Sequence, residues 1–142
     1  LKKYSFYEIL VIASLLEKEG IDYEDKRKIY SVIINRLKLN MKLQIDATVI
    51  FSLTEGKRDL DRKLTYADLK IENPYNTYKN FGLPPGPINN PGIESIKAAL
   101  YPKNTNFLFF VAQGDGSHAF TMNEKDHEEA KKIYKINKRK NK

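Results

Sequence analysis

Two glutamates, Glu17 and Glu19, stand at the end of the apolar stretch Ile9-Leu10-Val11-Ile12-Ala13-Ser14-Leu15-Leu16. A carboxyl group held against hydrophobic neighbours is poorly solvated as an anion, so its pKa rises and it stays protonated nearer neutrality. That is the condition for a general acid, as in enzymes whose proton donor is seated in an apolar pocket. On a helix Glu17 stacks above Ala13 and Leu10, and Glu19 above Leu15 and Ile12. Periodicity does not choose between them, and a glutamate at a helix end is more often a plain surface residue.

Other residues could hold a ligand beside such an acid. His118 follows the turn Gly114-Asp115-Gly116-Ser117, where glycines let the backbone approach a ligand closely. Gln44 and Asp46 alternate in a polar patch before an apolar run, a spacing compatible with side chains that point into a cleft. Residues 74–92 hold five of the six prolines and three of the seven glycines, so this segment is a stiff, shaped loop. It displays Tyr75, Asn76, Tyr78 and Asn90, which can stack on and hydrogen-bond to polar ligands. A purely structural Ω-loop is the competing description. The histidines, His118 and His127, give no metal-ligand spacing, and with no cysteine a zinc site or a thiolate nucleophile is not expected.

The elements that must position these groups are legible from caps and periodicity. Residues 5–19 read as a buried helix with Ser5 as cap, Glu8 completing a capping box and Gly20 as a C′ stop. A second helix is expected over residues 24–39, and a short helix over 47–53 is preferred to a strand. Thr65 and Asp68 mark another short helix, and residues 92–100 a further one, stopped by Pro102. Residues 107–112 read as an interior strand that is apolar on both faces, paired through the glycine turn with residues 118–121. Asn123 caps a last helix that runs to about Ile136 and dissolves into a basic tail. The fold class is α+β, a mostly helical single domain over 1–136 with a small antiparallel sheet, followed by a tail, 137–142.

Charge narrows the function classes. The net charge is +7, but residues 131–142 alone carry seven lysines and arginines and no acidic residue. The body is therefore neutral, which argues against a nucleic-acid partner. No apolar run is long enough to span a bilayer. The start at Leu1, without an initiator Met, reads as a fragment or a processed form.

In order along the chain stand Ala13-Ser14-Leu15-Leu16-Glu17-Lys18-Glu19, Val32 to Leu37, Leu43-Gln44-Ile45-Asp46-Ala47-Thr48-Val49-Ile50 and Leu64 to Leu69. Pro74 to Tyr78, Gly82 to Ile88, Asn90-Pro91-Gly92, Phe107 to Ala112 and Gly114 to Phe120 follow. This ordered set resembles the endolytic murein transglycosylase, or YceG-like, family over roughly residues 9–130. The resemblance implies a YceG-like catalytic domain that cleaves the β-1,4 bond between N-acetylmuramic acid and N-acetylglucosamine within peptidoglycan strands. It implies 1,6-anhydro ends, a role in terminating or processing nascent strands, and no cofactor. The first glutamate of the Glu-Lys-Glu triplet, Glu17, is then the expected single catalytic residue. Gln44, Asp46, Tyr75, Asn76, Tyr78, Asn90 and His118 are the expected sugar contacts. The implied parent protein is anchored on the outer face of the cell membrane by a segment absent from this chain, near cell-wall synthesis proteins. A hydrolytic muramidase and a non-catalytic glycan-binding module of a cell-wall complex are the alternatives.

Overall fold

The computed structural model describes residues 3–140. Helix α1, Phe6–Glu19, starts where Ser5 accepts from the Glu8 amide while the Glu8 carboxylate accepts from the Ser5 amide. Its apolar residues go all the way round, and Ile12, Ala13, Leu15 and Leu16 are fully enclosed. Burial of each large aliphatic side chain contributes roughly 1.5–3 kcal/mol, which makes α1 the axis of the core. Helices α2 (Tyr23–Lys38), α3 (Asp46–Thr54) and α4 (Ile93–Leu100) pack against it. The expected short helix at Thr65 is a single 3-10 turn, Asp68–Lys70, closed by reciprocal bonds between Thr65 and Asp68.

Gly20 ends α1 as expected, but in an extended conformation, φ −89°, rather than a left-handed one. Its lack of a side chain has another cause: a Cβ there would lie 2.2 Å from the Lys26 Cγ. The close approach of α2 to the end of α1 therefore requires glycine.

Strands β1 (Phe109–Ala112) and β2 (His118–Thr121) pair antiparallel, with Phe110 opposite Phe120. Helix α5, Glu124–Lys140, covers the hairpin. Two expectations change here. β1 is half-buried rather than interior, because a two-stranded sheet has too few neighbours to cover both faces. The last helix also does not dissolve at Ile136 but continues to Lys140, and the Asn137 side-chain amide donates to the Gln113 carbonyl at 2.7 Å. The basic segment down to Lys140 is thus an ordered helical end tied to the hairpin turn; residues 141–142 lie outside the described residues.

The second half of the proline-rich loop is fastened to α1. Tyr7 donates to the Pro85 carbonyl, the Ile88 amide donates to the Ser14 hydroxyl, and the Asn89 amide donates to the Ser14 carbonyl.

Candidate active site

Residues two apart on an α-helix lie about 200° apart around its axis, so Glu17 and Glu19 cannot share one cleft. Glu19 opens into a cleft of about 450 Å³. Its walls are the segment Leu43–Asp46, the Tyr78 ring and the hairpin side chains Phe109 and His118, with Arg36 also exposed to it. Glu17 points elsewhere, to the start of α4.

The surroundings push the two carboxyls in opposite directions. Burial raises the Glu19 pKa to about 7, with the nearby Asp46 carboxylate adding to the shift and the Ala47 backbone N–H opposing it. Glu19 therefore holds its proton to a higher pH than an ordinary glutamate and can act as acid or base near neutrality. Glu17 is held below the usual carboxylate range, first by the Gly92 amide at 2.7 Å, then by the Ser95 hydroxyl at 3.0 Å, with Lys26 and Lys18 nearby. A carboxylate stabilised as the anion is a poor proton donor. It caps α4, whose own preceding residue, Gly92, offers no side-chain cap.

The family resemblance assigns the catalytic role to Glu17, whereas the enclosed, pKa-raising environment that suits a general acid surrounds Glu19. Glu17→Gln should cost about 1 kcal/mol of stability at neutral pH, the usual scale for a lost cap. A depressed folded-state pKa contributes stability that is present above the unfolded value and lost as pH falls through the folded one. Thermal unfolding at neutral and acid pH should thus show the deficit only at neutral pH, with turnover little changed.

The expected sugar contacts divide. Gln44, Asp46, Tyr78 and His118 all line the Glu19 cleft. The Tyr78 hydroxyl donates to Asp46 at 2.5 Å, and burial followed by that bond raises the phenol pKa well above its usual value. Gln44 stands at φ +52°, a left-handed conformation costing a non-glycine residue on the order of 1–3 kcal/mol. It is pinned by bonds from its own amide and the Ile45 amide to Thr77. The result presents the Gln44 side chain to the cleft mouth.

Asn76 is a correction. It is 0 % exposed, donates to the Leu69 and Ile71 carbonyls and accepts from the Tyr78 amide, so no polar atom remains for a sugar. Tyr75 is half-buried and lies outside this cleft, its ring packed at 4.6 Å on Phe51. Asn90 is exposed and lies outside the cleft lining. The proline-rich loop therefore contributes one side chain, Tyr78, to this cleft, and the rest of it is scaffold. A wider groove of about 890 Å³ adjoins at Asp46 and is lined in part by Lys18, Phe51, Ile88 and Asn89.

Two contributors escaped the sequence reading. Arg36 is 8 % exposed and donates to the Leu108 and Lys42 carbonyls, joining α2 to both walls. A charged residue on the apolar stripe Ile29, Val32, Ile33, Leu37 was the available signal. Asp25, paired with His118, left none. Among the described residues no three His, Cys, Asp or Glu side chains group closely enough to hold a metal ion.

The sequence pattern of the YceG-like family matches residues 1–133. The chain belongs to that family. YceG-like relatives include a protein of Bacillus subtilis (strain 168) named endolytic murein transglycosylase, 48 % identical over 132 residues, which cover 93 % of this chain and 36 % of that protein. A Streptococcus pneumoniae (serotype 2, strain D39) protein of the same name is 36 % identical over 133 residues, 89 % of this chain and 23 % of that one. The chain thus spans only about a third or less of these relatives' length. The crystal structure of a putative YceG-like protein from Listeria monocytogenes superposes with a TM-score of 0.80 at 42 % identity, covering 88 % of this chain and 40 % of that one. The α+β architecture is that of a YceG-like domain.

Proposed function

We propose that this domain is a peptidoglycan lytic transglycosylase in which Glu19, not Glu17, is the acid and base. The observation that supports this is that Glu19, Asp46 and Tyr78 line one polar cleft, with Tyr78 bonded to Asp46, and that burial there raises the Glu19 pKa. The names of the relatives, endolytic murein transglycosylase, supply the substrate class. The groove adjoining the cleft at Asp46 supports an extended polymer rather than a small sugar.

In this reaction protonated Glu19 gives its proton to the glycosidic oxygen of the N-acetylmuramic acid–N-acetylglucosamine bond as the C1–O bond breaks. The Glu19 carboxylate then takes the proton of the muramyl C6 hydroxyl, whose oxygen bonds to C1 and closes the 1,6-anhydro ring. Atoms balance without water, and one carboxyl performs both transfers. The second step is intramolecular, and well-oriented reactions of that kind reach effective molarities of about 10⁵–10⁸ M. Gln44, Tyr78 and His118 would orient the sugars. Cleavage within nascent strands, outside the cytoplasm and alongside cell-wall synthesis proteins, is the setting proposed for the parent protein.

The acid must start protonated, so turnover on soluble glycan strands should be highest below about pH 7 and fall as pH rises through that value. A rate that stays flat to about pH 9 would remove the requirement for a protonated Glu19. A hydrolytic muramidase is the second reading, because Asp46 places another carboxylate in the same cleft. Product masses separate them, since anhydro ends are lighter by one water than hydrolytic ends. A non-catalytic glycan-binding module would bind strands and release nothing.

A further inference from the structure

The side chain of Asp25 stands behind the cleft rather than in it. Its Oδ2 accepts from the Ile21 amide at 2.9 Å and meets the His118 Nδ1 at 2.8 Å. The two side chains are only 10 % and 12 % exposed, and the edges of Phe110 and Phe120 hold the imidazole from the strand side. An ionised carboxylate can only accept, so Nδ1 must carry the hydrogen. In neutral imidazole the other nitrogen, Nε2, is then an acceptor with a free lone pair. Nε2 makes no hydrogen bond to any described residue, and the ring lines the cleft shared by Glu19, Asp46, Tyr78, Arg36, His127 and Lys131.

We infer that Asp25 is a positioning residue: it fixes His118 with Nδ1 protonated, so that Nε2 accepts a hydrogen bond from a hydroxyl of the bound sugar. This inference rests on the Glu19 cleft being the glycan site. It explains a carboxylate that touches no substrate yet is turned toward the hairpin, and it gives the β1–β2 pairing a role in aiming a ring nitrogen. An amide in place of Asp25 can offer N–H to Nδ1 and so favour the wrong tautomer, which is how a mispositioned histidine loses function in enzymes of the Ser-His-Asp kind.

The test uses the whole ¹⁵N-labelled domain and long-range proton–nitrogen correlation of the histidine rings at about pH 8. The expected result is a protonated Nδ1 and an unprotonated Nε2 on His118. Adding a soluble N-acetylglucosamine–N-acetylmuramic acid oligosaccharide to the Glu19→Gln protein should then shift Nε2. Asp25→Asn should mix the tautomers and lower kcat/KM about 10-fold or more, with KM raised by the weakened sugar contact and the protein still folded. A hydrogen on Nε2 in the parent protein overturns the inference, as does an oligosaccharide that perturbs the cleft amides but leaves His118 unmoved. An unchanged kcat/KM in Asp25→Asn does the same. The ring spectra of the parent decide the matter even where Asp25→Asn does not fold. Activity surviving in Glu19→Gln would instead count against the acid assignment alone.

Discussion

Replacing Glu19 with Gln is expected to lower turnover by about 10²–10⁴-fold, the range for loss of a positioned general acid–base group. Glutamine matches the shape of the carboxyl but can neither release nor take up the proton that both proposed steps would pass through. The same substitution should make the domain more stable above neutrality. Burial and Asp46 raise the Glu19 pKa from 4.5 to about 7, so the folded state binds more protons than the unfolded one in that interval. Stability contributed by the protonated group is full below the unfolded pKa and is lost as pH rises toward the folded one. Ionised Glu19 thus costs on the order of 3 kcal/mol at alkaline pH, and the amide removes that cost. Turnover and thermal unfolding of Glu17→Gln and Glu19→Gln, measured at about pH 5 and 8, give a crossed pattern. Glu19→Gln loses activity and gains stability only at the alkaline pH, while Glu17→Gln keeps activity and loses stability at both, since both lie above the lowered Glu17 pKa. An inactive Glu17→Gln with an active Glu19→Gln would return the acid to the first glutamate.

Asn76→Ala is expected to destabilise the fold by about 2–4 kcal/mol, the largest stability change anticipated here. The substitution strips partners from the Leu69 and Ile71 carbonyls and from the Tyr78 amide, all satisfied by one fully buried side chain. Each buried polar group left without a partner costs about 1–3 kcal/mol, with partial relief where water enters. The melting temperature should fall on the order of 10 °C. Folded protein held well below the transition should keep its apparent substrate affinity within a few-fold. A drop in substrate use at an unchanged melting temperature would mean that Asn76 reaches the sugar after all.

Local signals carried much of the fold. Ser5 with Glu8, Thr65 with Asp68 and the glycine turn before His118 each close through bonds between residues a few positions apart, and the structure has them all. The candidate site was legible in its residue types, since Gln44, Asp46, Tyr78 and His118 do converge. The opposite environments of the two glutamates were not, because that of Glu17 is made by Gly92 and Ser95, which meet it across 75 and 78 positions of sequence. Asn76 misled for a related reason. Its side chain suits either a ligand or the protein's own backbone, and only tertiary burial decides. The last helix outran its apolar residues because Asn137 finds the Gln113 carbonyl and Lys131 and Lys132 pair with Glu128 and Glu129 one turn back.

The Arg36 guanidinium bears on how the cleft meets a polymer. One planar group reaches the Lys42 carbonyl on one side and the Leu108 carbonyl on the other, both at 2.7 Å, while lying 4.9 Å from the Phe109 ring centroid. It acts as a gauge block: the spacing of the two jaws equals the span of a rigid fork and does not follow the guest. Under the proposed function a strand would meet an aperture already set, and selection would occur by rejection at the entrance rather than by closure around what has entered. A lysine at this position would bring charge without the second arm, leaving the jaws free to drift and the aperture without a standard.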